Sequence, residues 1–213
     1  MTYPCSGVIL AGGLNLRFSG KTKALLSVGG KRILDRIIEV YSQVFAEVIL
    51  VTNDPASYLE WDMNIVTDLF PVRSPLTGIH AGLFHSRAPY AFFGACDTPF
   101  INKSLIEALV DVIDPQTDAI IPETNGGLQP LFAVYSKRCL SLLERHLAQQ
   151  KPKPQHRRSL QPMLKVQRFF EQVKVKTFPE SCAREKDPEL ISFFNINSPE
   201  DLARAETIAV NIL

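Results

Sequence analysis

The chain has 213 residues, 46% of them hydrophobic and 21% charged, and 23 Lys and Arg against 22 Asp and Glu leave a net charge of +1. That is the composition of a globular domain long enough to bury a sizeable core. The near-neutral charge excludes a strong field recruiting nucleic acid or an anionic membrane, and charges or glycines break every apolar stretch before it could span a bilayer.

Short apolar runs alternate with helix-like segments. "SGVILAG" reads as a buried strand, because several adjacent apolar residues end in glycines. "KRILDRIIEVYSQVF" places Ile33, Leu34, Ile37, Ile38, Tyr41, Val44 and Phe45 on one helical stripe. "EVILVT" is a second strand, closed by the turn Asn53-Asp54-Pro55, and "NIVTD" a short third strand followed by the loop "LFPVRSPLTG". "YAFFGAC" is apolar enough to be central in the sheet. Asn102 then caps the helix "KSLIEALVDVI". Further on, "DAIIPE" and "QPLFAVY" form two strands joined by a hairpin through "TNGG". The helix "SKRCLSLLERHLAQQ" runs into a proline-broken basic loop, "KPKPQHRRSLQP". "QVKVKTF" alternates like an edge strand, "SFFNIN" reads as another strand, and Ser198-Pro199-Glu200-Asp201 opens the last helix. The alternation predicts one α/β domain over residues 1–213: a Rossmann-like, doubly wound, mainly parallel sheet with a small hairpin and edge-strand addition.

Cys5, Cys96, Cys139 and Cys182 form no Cys-x-x-Cys pair, so neither a zinc knuckle nor a disulfide framework is expected. "MTYPCSGVIL" lacks the basic region and long apolar stretch of a signal peptide, and a cytoplasmic location is expected. His80, His85, His146 and His156 show no metal-ligand spacing and are read as surface or packing residues.

The stretch after the first strand, "LAGGLNLRFSGKTKALL", carries two phosphate-binding patterns. Ser19-Gly20-Lys21-Thr22 resembles the end of a Walker A loop. That loop needs a glycine five residues before Gly20, because its fixed length wraps backbone amides around a phosphate. Position 15 is Asn15, and the nearest glycine is Gly13. The other pattern is Gly12-Gly13, followed within one loop by Arg17 and Lys23. Backbone without side chains admits a base or phosphate closely, while Arg offers a planar fork and Lys a compact charge.

Asp97 stands at the carboxyl end of a central strand, where open α/β sheets bind ligands. An acid there, facing a cationic loop, suits Mg²⁺, which takes oxygen ligands and shares its sphere with substrate phosphates. Asp68 and Asn53 also follow strands, so polar residues at three strand ends converge on one crevice.

Several stretches, in order, resemble the molybdenum cofactor guanylyltransferases, the MobA-type nucleotidyltransferases. They are "GVILAGGLNLRFSGKTKALL", "VTNDP", "TDLFPVRSPLTGIHAGL", "FFGACDTPFI", "QPLFAVY", "RRSLQPML" and "FFNINSPEDL". The resemblance implies a fold binding GTP and Mg²⁺ in its N-terminal half and the acceptor substrate in its C-terminal half. It also implies transfer of GMP to the terminal phosphate of the molybdopterin cofactor, with release of pyrophosphate. Carried to matching positions, it implies that Leu10, Ala11, Gly12 and Gly13 contact guanine and triphosphate. Lys23 would bind phosphate with help from Arg17, Asn53 and Asp68 would line the nucleotide pocket, and Asp97 would hold Mg²⁺. Arg157, Arg158 and Ser159 would face the pterin, and Asn195 and Asn197 would lie near the reacting phosphates. Two positions depart from the family: Thr22, where aspartate is usual, and Ser19, often glycine. Other molybdenum cofactor biosynthesis proteins or a molybdoenzyme chaperone are the protein partners the resemblance brings. A cytidylyltransferase of the same superfamily, a P-loop NTPase and a non-catalytic nucleotide-binding module are the competing functions; Ala-Gly-Gly rather than Ala-Ala-Gly favours guanine by resemblance.

Overall fold

The computed structural model describes residues 4–12, 22–72, 74–149, 166 and 168–212. Strand β1 (Cys5–Leu10) leads, after an undescribed stretch, to a short 3₁₀ turn (Lys23–Leu25) and a two-stranded hairpin, β2 (Ser27–Val28) and β3 (Lys31–Arg32). Gly29 and Gly30, at φ 56° and 73°, supply the left-handed backbone that this hairpin turn requires. Helix α1 (Ile33–Val44), strand β4 (Val48–Val51) and strand β5 (Asn64–Val66) follow, then α2 (Pro75–His85), β6 (Tyr90–Ala95) and α3 (Lys103–Asp111). The second half holds β7 (Ala119–Thr124), β8 (Gly127–Leu128), β9 (Phe132–Ser136), α4 (Leu140–Ala148), β10 (Val175–Pro179), α5 (Glu180–Lys186) and α6 (Pro199–Ile212).

The main sheet runs β10-β7-β9-β6-β1-β4-β5, with β8 paired to β7. Strands β6, β1, β4 and β5 are mutually parallel, and β10 is parallel to β7. Strand β9 runs antiparallel between β6 and β7. Helices cover both faces. Ile33, Leu34, Ile37 and Tyr41 of α1, with Leu105, Ile106 and Leu109 of α3, pack on one face against Ile9, Phe92 and Phe132. Leu76, Ile79 and Leu83 of α2, with Leu143 and Leu147 of α4, pack on the other against Val8, Phe93 and Tyr135. The sheet is therefore doubly wound and mainly parallel, as the alternation predicts, and β10 lies on its edge as "QVKVKTF" suggests. Asn102 caps α3 by accepting from the Leu105 N–H at 3.1 Å.

Three expectations are corrected. The loop "LFPVRSPLTG" stops early, because α2 begins at Pro75, with Ser74 Oγ accepting from the Leu76 N–H at 3.3 Å. Leu76, Thr77, Ile79, His80, Ala81, Gly82 and Leu83 are all buried, so α2 has no polar stripe to announce a helix. Its close approach rests on Gly82, where a Cβ would come within 2.6 Å of Phe93 Cε1. Secondly, the tight hairpin joins β7 to the two-residue β8, and β9 returns to pair with β7 through Ala119–Tyr135 and Ile120–Val134. Thirdly, "SFFNIN" forms no strand. Asp187 accepts from the N–H groups of Ile191 and Ser192, winding Ile191–Phe193 into a 3₁₀ turn entered through left-handed Leu190.

Candidate functional site

The sheet register sets four strand ends in one row. Leu10 is paired with Val51 on one side and Ala95 on the other, and Val51 is paired with Val66. Two residues beyond each member of that row stand Gly12, Asn53, Asp68 and Asp97. The ladder continues past β1 through Ala11 N–H to Val51 O at 2.8 Å and Cys96 N–H to Leu10 O at 3.0 Å. The strand-end constellation read from the sequence is thus a structural row, placed where parallel sheets open into ligand crevices. Among the described residues, a Cβ on Gly12 would meet nothing within 4 Å.

Two polar groups form on this row. On the outer pair of strands, Asn53 Nδ2 donates to Asp68 Oδ2 at 2.7 Å. On the inner side, Lys23 Nζ donates to Asp97 Oδ2 at 3.0 Å and to Asn197 Oδ1 at 2.8 Å. Lys23 opens the 3₁₀ turn, whose fold is closed by Leu25 N–H to Thr22 O and Leu26 N–H to Lys23 O. The turn carrying Asp97 is closed by Thr98 Oγ1 donating to Ala95 O at 2.6 Å. The Lys23 and Asp97 side chains keep 18% and 20% of their surface exposed, so the pair is sheltered but reachable. Asn197 arrives from the far end of the chain, 174 residues from Lys23, and the neighbouring Ile196 N–H donates to Asp97 O at 2.9 Å. That linkage has no signature in local sequence beyond the asparagine itself.

Asn195 is placed differently from Asn197: its Nδ2 donates to Phe193 O at 2.9 Å, closing its own turn. Gly13, Arg17, Arg157, Arg158 and Ser159 lie outside the described residues, as does the basic loop. Leu10 ends β1, and Ala11 stands just beyond it.

The chemistry available here is electrostatic. Cys96 adjoins Asp97, but burial, with the Asp97 charge second, pushes its thiol up to about 12, so it supplies no thiolate nucleophile at neutral pH. Asp97 offers one carboxylate, and the described residues contain no group of three or more His, Cys, Asp or Glu side chains able to hold a metal. One carboxylate beside an amide oxygen and an ammonium does not make a closed protein cage. It fits a hard cation that takes most of its ligands from substrate phosphates and water. His80 packs between Phe70 and Phe84, with ring centroids at 4.9 Å and 5.9 Å, in agreement with a packing role. No helix of the described residues is long and apolar enough to cross a membrane.

Known proteins resemble the chain over nearly its whole length. The family described as MobA-like NTP transferase domain matches residues 7–166. A molybdenum cofactor guanylyltransferase of Desulfosudis oleivorans is 39% identical over 201 residues, covering 94% of each chain. A probable molybdenum cofactor guanylyltransferase of Natranaerobius thermophilus is 36% identical over 210 residues, covering 96% of each. The crystal structure of molybdopterin-guanine dinucleotide biosynthesis protein A from Archaeoglobus fulgidus superposes with a TM-score of 0.80 at 29% identity. It covers 97% of this chain and 100% of its own. The family match over residues 7–166 and the 39% identity across 94% of each chain show that the chain belongs to the MobA-like NTP transferase family.

Proposed function

We propose that the chain transfers GMP from GTP to the terminal phosphate of the molybdopterin cofactor, forming the guanine dinucleotide cofactor and releasing pyrophosphate. The observation that carries this reading is Lys23, whose ammonium bridges Asp97 and Asn197 at the carboxyl end of the parallel strands. Family membership and the curated relatives' names support the reaction class.

The acceptor phosphate oxygen attacks the α-phosphorus of GTP in line. A new P–O bond forms, the bond from the α-phosphorus to the bridging oxygen breaks, and that oxygen leaves with the electron pair on pyrophosphate. The nucleophile is already anionic, so no strong general base is needed. The obstacle is bringing two polyanions together in the right orientation. Leu10, Ala11 and Gly12 offer backbone to the nucleotide, with Gly13 in the adjoining undescribed stretch. Asn53 and Asp68, already bonded to each other, line its pocket. Lys23 neutralises the triphosphate and stabilises the leaving pyrophosphate, with Arg17 assisting. Asp97 would hold Mg²⁺ shared with the phosphates, which when bound offsets charge at the reacting phosphorus. Asn197 holds the lysine, and Asn195 completes the same segment near the reacting phosphates. Arg157, Arg158 and Ser159 clamp the pterin substrate.

In this reading residues 1–213 form one nucleotidyltransferase domain, with the nucleotide in the N-terminal half and the acceptor in the C-terminal half. The bond from Lys23 to Asn197 joins the two. The protein works in the cytoplasm, handing product to other cofactor biosynthesis proteins or to a molybdoenzyme chaperone. Neither nucleic acid nor membrane enters the reaction. The test is incubation with Mg²⁺, purified molybdopterin cofactor and GTP, CTP or ATP in turn, with product mass read out. GTP should give the guanine dinucleotide. Preferential use of CTP would make the chain a cytidylyltransferase on the same scaffold, and absence of any dinucleotide would reject transferase activity.

A further inference from the structure

Residues 167–213 lie beyond the matched family span, yet they deliver Asn197 to Lys23. Helix α6 starts with a reciprocal cap. Asp201 N–H donates to Ser198 Oγ at 3.2 Å, and Asp201 Oδ2 accepts in return from Ser198 N–H at 3.0 Å. Those two bonds close a capping box at the start of the helix. Asp201 Oδ2 accepts one bond more, from Asn197 N–H at 2.9 Å, outside the helix. Asn197 is the residue whose Oδ1 meets the Lys23 ammonium at 2.8 Å. The segment Ile196–Ser198 is thereby pinned from two sides, by Asp97 O on Ile196 N–H and by Asp201 on Asn197 and Ser198. Two turns along the same helix, Glu206 Oε2 accepts from Gly29 N–H at 2.9 Å and holds the hairpin that follows Lys23.

We infer that Asp201 is a positioning residue for the transfer reaction: its carboxylate aims Asn197 at Lys23 and so fixes the ammonium beside Asp97. This rests on the reading of Lys23, Asp97 and Asn197 as site groups. The N–H of Asn197 is the main cause that holds the Asp201 carboxyl below the ordinary aspartate value, so it is ionised at neutral pH. A cap serving only the helix would need the bonds to Ser198; the bond to Asn197 has its effect at the site.

The test is a double-mutant cycle on transfer activity, read beside thermal melts. Asp201→Ala should lower kcat/KM about tenfold, the scale of one lost charge-assisted hydrogen bond. In an Asn197→Ala background the same change should leave kcat/KM within about twofold, because the residue it acts through is gone. The loss of melting temperature should be the same in both backgrounds. Asp201→Asn keeps an acceptor oxygen and should retain most activity while melting lower, since the helix end loses its charge. Ser198→Ala, which removes only the helix side of the cap, should lower the melt and keep kcat/KM within about twofold, and it stands in should Asp201→Ala not fold. Equal loss of kcat/KM from Asp201→Ala in both backgrounds would overturn the inference, as would a loss with Ser198→Ala that matches its loss of stability. If Asn197→Ala alone leaves transfer intact, the site reading of Asn197 fails and takes the inference with it.

Discussion

Strand β1 meets a polar cluster at each of its ends, and the two clusters use their groups differently. At the amino end, Ser6 is 1% exposed and its Oγ donates to Glu47 Oε2 at 2.6 Å while accepting from Ser86 Oγ at 2.7 Å. Glu47 Oε2 also accepts from Arg87 N–H at 2.8 Å. These groups satisfy one another and stitch the α1–β4 and α2–β6 connections to β1. At the carboxyl end, Lys23, Asp97 and Asn197 meet where the parallel strands open, and the ion pair stays partly exposed. Both ends come from polar residues flanking one apolar run. The difference lies in the topology, because crossover helices return to the amino ends of the strands and leave the carboxyl ends free to take a ligand. A polar cluster at the amino end should therefore matter for stability, and one at the carboxyl end for turnover.

The largest effect should come from the acid of the carboxyl-end cluster. Asp97→Asn should lower turnover by about 10²–10³-fold, the scale of removing one preorganised electrostatic group, with little change in the melt. Next is the lysine. Lys23→Ala should weaken GTP use by about 10–100-fold, as expected for charge-assisted contacts to phosphate, while Lys21→Ala should change little. Steady-state kinetics with both variants decide it, and a reversed order, with free GTP hydrolysed to GDP and phosphate, would restore the P-loop view of this stretch.

That contrast also shows what the sequence can carry. The strands of the parallel half are plain, because each is a short apolar run closed by a turn. Asp97, Asp68 and Asn53 are visible as strand-end residues for the same reason, and the register then sets them on one row. Helix α2 is not visible as an amphipathic pattern, since it is buried nearly all round. "SFFNIN" looks like a strand because its aromatics are apolar, but Asp187 diverts its backbone bonds into a turn. The meeting of Lys23 with Asn197 depends on tertiary structure alone; the sequence shows only that both residues belong to motifs of one family.

Two smaller effects follow for the acceptor end and the amino end. Replacing Arg157 and Arg158 together by alanine should raise KM for the molybdopterin substrate by about tenfold or more, with GTP binding by calorimetry little changed. Equal loss for both ligands would make that loop structural. Glu47→Ala should leave Ser6 Oγ and Arg87 N–H without their acceptor, costing about 1–3 kcal/mol. Thermal melts should then fall by several degrees at near-normal turnover.

The smallest effect concerns acid stability. Asp118 accepts from Lys174 N–H at 3.0 Å and from Arg138 Nε at 2.9 Å. Burial works against ionisation, yet these bonds hold its carboxyl below the ordinary aspartate value of 3.8. Because the folded value is the lower one, the ionised group stabilises the fold above that pH. The contribution is lost as pH falls through the folded value. Urea melts of Asp118→Asn should show a deficit against the parent at pH 7 that narrows below about pH 3.8.

The most direct test measures turnover and melting temperature for Asp97→Asn and Glu47→Ala in one experiment. The predicted result is a crossover: Asp97→Asn melts near the parent and fails to transfer GMP, while Glu47→Ala melts several degrees lower and transfers GMP at near the parent rate. Near-normal turnover in a well-folded Asp97→Asn protein would contradict the account, because the carboxyl end of the sheet would then hold its charges for stability alone.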